Sequence, residues 1–178
     1  MKHIQNLFLT VIVLGICLTW AFAFAPAWVA AQDDIQNHQA CPYCGMDRGK
    51  FAHSRILIQY EGGEETGTCS LHCAAIDMAL KIDQNPEIIW VGDYNTKRLI
   101  DAERAYWVMG GDKMGVMTAR AKWAFETKVA ADEYIAAHGG KMVTYDDAVQ
   151  GSFEDMYKDI KMIRKKRKMM RERKAKKQ

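Results

Sequence analysis

The sequence predicts an α+β fold made of two similar strand-strand-helix-strand modules, with an export signal before them and a basic helical tail after them. Three observations carry this. Segments with strand and helix patterning occur in the same order twice. The cysteines of the body are confined to the first copy, and the two ends of the chain differ sharply in composition, apolar at the start and basic at the finish.

Lys2 and His3 precede an uncharged run from Leu7 to Ala31, and Val29-Ala30-Ala31 forms a small-residue cleavage site before Gln32. A basic start, an apolar middle and small residues at the end make residues 1–31 a signal peptide, which leaves about 147 residues for one domain. The alternative is an uncleaved anchor, since about 18 apolar residues can cross a bilayer. Either way the protein is expected to be periplasmic or exported. Residues 32–40 read as a linker, 41–94 as a Cys-rich module, 95–150 as a second module and 151–178 as the tail.

In the first module "SRILIQY" has strand character, "EGG" is a turn, "EETGT" approaches a second short strand, "CSLHCAAIDMALKI" is helical, and "PEIIWVGDY" is a strand again. In the second, "AYWVMGG" is a strand, "MGVMTARAKWAF" a turn and a strand, "TKVAADEYIAAHGG" a helix stopped by a glycine pair, and "KMVTYDDA" a closing strand. Laying Cys73 on Val129 also lays Cys69 on Phe125, so that apolar residues in one module mark inward positions occupied by thiols in the other.

From Gln32 to Tyr157 there are 12 basic and 20 acidic residues, a net −8; from Lys158 to Gln178 there are 12 basic and 2 acidic, a net +10. A basic run ordinarily suggests nucleic acid, but an exported chain has little access to it, and none is expected as a partner. Phe153, Met156, Tyr157, Ile160 and Ile163 recur at helical spacing ahead of the charges. That pattern suits a helix lying on anionic lipid or on an acidic partner, the alternative being a solvated, partly disordered tail.

Four cysteines remain after the signal: Cys41, Cys44, Cys69 and Cys73. An even number in an exported chain makes disulfides the default. The spacing is nevertheless that of a metal knuckle, a CxxC before the first strand and a pair at i and i+4 where a helix starts, so both helix thiols can face one place. A helix N-terminus also favours the thiolate form that binds metal.

Residues 41–88, with "CPYCGM", a hairpin, "CSLHC" and "NPE", resemble the heavy-metal-binding TRASH or YHS modules, and that resemblance implies a treble-clef fold for the first module. From Cys41 to Ala148, "CGM", an "MG" in a glycine-rich stretch, an aromatic before a helix and a closing "HGG" are similar to NosL-type copper accessory proteins of nitrous oxide reductase. The second resemblance implies Cu(I) held through Cys44 and Met46 of "CGM" and Met114 of "DKMG". Cys41, Cys69 and Cys73 would make the site richer in sulfur. Neither resemblance accounts for the tail.

Soft thiolate and thioether donors select Cu(I), whereas zinc has little use for methionine. Zn(II) on the four cysteines is the alternative metal, and a thiol redox protein using the CxxC is the alternative to metal binding. Met78, Met109 and Met142 sit in apolar patterns and read as core; Met117 suits either role. His72 reads as a surface helix residue, and His53 and His138 as structural. No catalytic signature is present, so no enzyme activity and no small-molecule substrate are expected. The expected partners are a copper-requiring client enzyme or a copper donor.

Overall fold

In the computed structural model residues 34–176 are described; the signal segment 1–31 and its cleavage site lie outside them. A one-turn helix, α1 (Asp34–Asn37), is followed by the knuckle at residues 41–46 and by β1 (Ile56–Tyr60), β2 (Glu65–Thr68), α2 (Leu71–Leu80), β3 (Pro86–Gly92) and β4 (Leu99–Asp101). The second module contains β5 (Tyr106–Met109), β6 (Lys122–Phe125), α3 (Lys128–His138) and β7 (Lys141–Val143), and the chain finishes in α4 (Tyr145–Ala175).

The strand-strand-helix-strand unit is present twice with one topology. The sheets are ordered β2-β1-β3-β4 and β6-β5-β7. In each, the module's first strand is central and pairs antiparallel with the two that follow. Centrality explains the composition of β1, whose Ile56, Leu57, Ile58 and Tyr60 are all buried, because a strand covered on both faces has no polar side to alternate with. Trp107 and Val108 bury the centre of the second sheet in the same way.

Three expectations about the modules change. The N-caps Ser70 and Thr127 align the copies one residue further along, so Cys73 stands opposite Ala130 and the fully buried Ala74 opposite the fully buried Ala131. Val129, expected to face inward, is exposed. Strand β4, in the segment assigned to the second module, pairs with β3 and completes the first sheet. The closing strand stops at Val143, because Thr144 and Asp147 form a reciprocal capping box that starts α4.

The glycine pair after α3 performs the expected stop. Gly139 and Gly140 have φ of 72° and 97°, values a side chain disfavours, and Gly139 N–H closes the last turn on Ile135. At the other end Thr127 Oγ1 accepts from Ala130 N–H at 3.2 Å. The modules join where Tyr94 N–H donates to Ala124 O at 2.8 Å and Glu126 N–H donates to Asp93 Oδ2 at 2.8 Å.

Residues 34–40, read as a linker, are part of the fold. Asp34 is buried between Arg48 at 2.5 Å and Arg55 at 3.0 Å. Arg48 is itself fully buried, and each of its five N–H groups has an acceptor: Thr68 O, Asp34 O, His38 O, Ile56 O and the Asp34 carboxylate. Arg48 lies two residues after Met46, so this buried charge network fixes the knuckle to the first two strands.

The tail is one continuous helix, about 46 Å long from its rise per residue. Its first half packs on the body through Ala148, Gly151, Ser152 and Asp159, all buried, and from Arg164 onward it is exposed. The apolar stripe expected to face lipid does not form one open face: Phe153 and Tyr157 are exposed, whereas Met156, Ile160 and Ile163 are partly covered. Among the described residues no helix is long and apolar enough to cross a membrane.

Candidate metal centre

The knuckle is built by two backbone bonds: Cys41 N–H donates to Met46 O at 2.9 Å, and Gly45 N–H donates to Cys41 O at 2.8 Å. Gly45, at φ 74°, turns the chain back directly after Cys44. Tyr43, between the two cysteines, donates to the carboxylate of Asp77, which also accepts from Tyr60 at 2.5 Å. Asp77 is a buried residue of α2, so the helix holds the knuckle through a tyrosine as well as through sulfur. Burial, with the Asp77 bond behind it, pushes the Tyr43 phenol above its ordinary range.

The corner between β2 and α2 supplies the other two thiols. Cys73 is in the first turn of α2. Cys69 lies before the N-cap Ser70, whose φ of −168° is extended, so the corner and not a shared helix face brings Cys69 and Cys73 together. All four sulfurs lie within 4.8 Å of one another. Cys44 Sγ is 3.4 Å from Cys69 Sγ, and Cys69 Sγ is 3.8 Å from Cys73 Sγ. Four thiolates on a tetrahedral zinc would stand about 3.8 Å apart, given a Zn–S bond of about 2.3 Å. The cysteines are free, against the default expectation of disulfides. Cys41, Cys69 and Cys73 are buried and Cys44 is half-buried, which makes Cys44 the accessible edge of the cluster.

Electrostatics divides the four thiols into two that ionise readily and two that do not. The sulfurs of Cys44, Cys69 and Cys73 all bond toward Cys41 and hold its thiol far below the ordinary value. Cys44 is also lowered; its bond to Cys41 works in the other direction, and those to Cys69 and Cys73 outweigh it. Cys69 and Cys73 are pushed well up, first by their bonds to Cys41 and Cys44 and then by burial. The start of α2 was expected to favour the Cys73 thiolate; close sulfur neighbours in a dry site dominate over the helix dipole. A bound cation reverses this, because ligation requires the thiolate and drives protons out.

The other expected ligands are placed as follows. Met46 is half-buried and packs against the hydrophobic cluster that includes Cys41, Cys69 and Cys73. Met114 is exposed, and its Sδ accepts from Lys166 Nζ at 3.1 Å. Met46 and Met114 line one groove, shared with Met117. Met109 is buried, and Met78 and Met142 pack against the core as expected. His53 joins an aromatic group with Tyr94 and Trp123, and His138 ends α3 beside Asp112.

His72 departs from its expected surface position. It is buried, and its Nδ1 faces Asp159 Oδ2 of α4 at 3.4 Å. Asp159 also accepts from Ala119 N–H at 3.0 Å. One turn earlier, Asp155 accepts from Arg120 Nε at 2.7 Å and Lys122 Nζ at 2.9 Å. Nearer the C-terminus Arg167 donates to Cys44 O at 3.0 Å, so the tail touches the knuckle directly. The sequence carried a signal for this in Met162, Lys166 and Met170, spaced four apart on one helix face, but nothing local shows what that face meets.

Asp159→Ala is expected to lower stability by about 2 kcal/mol, since it removes a buried carboxylate that accepts from Ala119 N–H and faces the buried His72 Nδ1, which is left without a partner. It should also speed amide exchange across residues 155–170 relative to the strands. Urea unfolding and hydrogen exchange measure both, and unchanged exchange in the tail would show that Asp159 does not hold it.

Comparison with known proteins agrees with the sequence resemblance. No curated protein matches. The crystal structure of the copper chaperone NosL from Shewanella denitrificans aligns at 20% identity with a TM-score of 0.48, over 60% of this chain and 87% of that one. The profile of the NosL family matches residues 32–153, which include all four cysteines and both modules and stop just inside α4; the chain belongs to the NosL family.

Proposed function

We propose that this chain is an exported, non-catalytic carrier of Cu(I), taking the ion into the cysteine cluster and passing it to a copper enzyme during assembly, with nitrous oxide reductase the client class. The observation that carries the reading is the convergence of four free thiols within 4.8 Å, three buried and one at the edge, with Met46 two residues further along the knuckle from Cys44. Soft donors select Cu(I), and two or three sulfurs satisfy it, so the remaining thiols keep their protons and the buried charge stays small. Thioethers stay available in an oxidising compartment, because they form no disulfides. The half-exposed Cys44 is where an incoming ligand from a partner would displace the ion first.

The knuckle, the hairpin and the helix-start pair support reading the first module as a treble clef. The exposed basic half of α4 offers a cationic face to an acidic donor or client, or to anionic lipid.

A structural zinc site is the second reading, favoured by sulfur spacings near those of a zinc tetrahedron. Metal analysis of protein purified without oxygen, followed by competition titration with Cu(I) and Zn(II), separates the two. The carrier reading expects Cu(I) to displace Zn(II), and expects Met46→Leu to weaken Cu(I) by about tenfold while leaving Zn(II) unaffected. Tight Zn(II) that Cu(I) does not displace, with no effect of Met46→Leu, would reject it.

A further inference from the structure

A groove of about 620 Å³ lies between the loop before β6 and the second half of α4. Its apolar lining includes Met114 and Met117 of the loop, Met162, Ile163 and Met170 of α4, and Met46 of the knuckle. Lys113, Lys166 and Arg167 supply its charge, and among the described residues no acidic one lines it. The wall formed by α4 lies beyond residue 153, outside the part of the chain that the family profile matches.

We propose that this groove is the docking site for an acidic, amphipathic peptide segment of the protein that exchanges copper with this chain. That the partner handles copper rests on the reading above; the chemistry of its segment follows from the groove.

The apolar half of the argument is exposure. Met114 is 59% exposed and Met170 60% exposed, which core filler would not be. Unbranched, flexible thioether side chains suit a surface that must fit the apolar residues of another chain. The volume falls in the range of roughly 300–1,000 Å³ typical of ligand pockets, so several side chains of an amphipathic segment can enter.

The other half is charge. Residues 32–157 carry a net −8, yet the groove presents three cations and no carboxylate. Lys166 Nζ donates to Met114 Sδ at 3.1 Å and Arg167 donates to Cys44 O at 3.0 Å, both neutral acceptors. A carboxylate is the stronger acceptor for each, because charge-assisted hydrogen bonds are about twice as strong as neutral ones. The same contacts fix where the occupant lies: Met46 and Arg167 both line the groove, so a docked segment is beside Cys44, the accessible edge of the thiol cluster. A carboxylate that takes Arg167 from Cys44 O also loosens the knuckle at the sulfur where exchange begins.

Anionic lipid fits this groove poorly. A bilayer surface would recruit the cations on the outer side of α4, among them Lys161, Lys165 and Lys168, which are exposed and do not line the groove. A concave apolar site between a loop and a helix is filled by a segment of chain.

The test uses the reduced, metal-free protein and a fluorescein-labelled peptide with leucines at i, i+3, i+4 and i+7 and glutamates between them. At about 0.15 M salt a charge more than about 8 Å away is largely screened, so anisotropy reads local contacts. The peptide is expected to bind and to shift the NMR methyl signals of Met114, Met162 and Met170. K113E/K166E/R167E alters only exposed side chains and should stay folded. It is expected to weaken binding at least about tenfold, since attraction becomes repulsion at three points. K161E/K165E/K168E has the same net charge and should change binding by less than about twofold. Serines in place of the peptide's leucines should abolish binding.

On the copper-loaded protein, a cysteine added at the end of the peptide should take up Cu(I) faster than the same cysteine on the leucine-free peptide, because docking raises its concentration beside Cys44. In that exchange the copper–Cys44 bond breaks as a copper–thiolate bond to the peptide forms, the peptide's thiol proton passes to Cys44, and copper stays monovalent. Docking without faster transfer would support the groove and refute the carrier reading. Unmoved methyls, equal losses in the two charge variants, or equal binding of the leucine-free peptide would overturn the groove. If phosphatidylglycerol vesicles shift the same methyls and the peptide does not, the face is a lipid surface and the proposal fails.

Discussion

Cys73→Ser is expected to abolish tight binding of a soft metal ion, lowering affinity by at least about 100-fold, because loss of a ligand should exceed the 10–100-fold cost of losing an outer-shell partner. Cys73 is fully buried, and its sulfur is within 4.8 Å of the other three. A serine there offers a hard oxygen of high pKa that neither Cu(I) nor Zn(II) selects, and the dry site admits no replacement from solvent. Cys44→Ser should weaken equilibrium binding less, since at the half-exposed edge a solvent ligand can take the place of the lost sulfur, but should slow transfer to an acceptor, because that edge is where exchange begins. Competition against a chelator of known affinity gives the first quantity and stopped-flow transfer the second. Wild-type affinity in folded Cys73→Ser protein would mean that the ion is held elsewhere.

Asp34→Ala should have the largest effect on stability, a loss of about 3–5 kcal/mol, which is the usual result of breaking a buried ion pair from one side. Two arginines face that carboxylate, and Arg48 has no exposure through which to recover hydration. Since a domain of this size is stable by only about 5–15 kcal/mol, the variant would be close to unfolding at growth temperature. The loss should reach the metal site, because Arg48 ties the knuckle to β1 and β2 through Ile56 O and Thr68 O. Urea unfolding of the variant, with Asp34→Asn as an intermediate that keeps the shape and part of the hydrogen bonding, measures this. A loss below about 1 kcal/mol would show that the arginines find other partners or water.

The repeated module was legible because its signals are local. Short apolar strand runs, a glycine turn between two of them and a glycine pair at a helix end are each encoded within a few residues, and both copies have the expected order. Where local signals competed, the reading failed. "KMVTYDDA" has strand character throughout, yet the capping box of Thr144 and Asp147 turns its second half into a helix. Val129 looked inward-facing only under an alignment one residue away from the one the caps define.

The cysteine spacing alone was enough to name the four thiols as a set, since a CxxC and an i,i+4 pair limit how far their sulfurs can stray. The spacing could not say that the thiols meet, that three are buried, or that Cys44 forms the edge. Those facts follow from β1, β2 and α2 packing, and from Arg48 and Asp77 holding the knuckle in place over 10 to 34 residues of intervening chain. His72 looked like a surface residue between two ligands because its partner, Asp159, is 87 positions away on a helix that could have pointed anywhere. The tail's cations and its helically spaced apolar residues were visible as a pattern whose meaning depended on the surface beneath them. Short-range periodicity and capping are written into neighbouring residues, so the chain announces its elements; burial, ion pairing and the meeting of sulfurs depend on which distant segments come into contact, and only the folded arrangement supplies that.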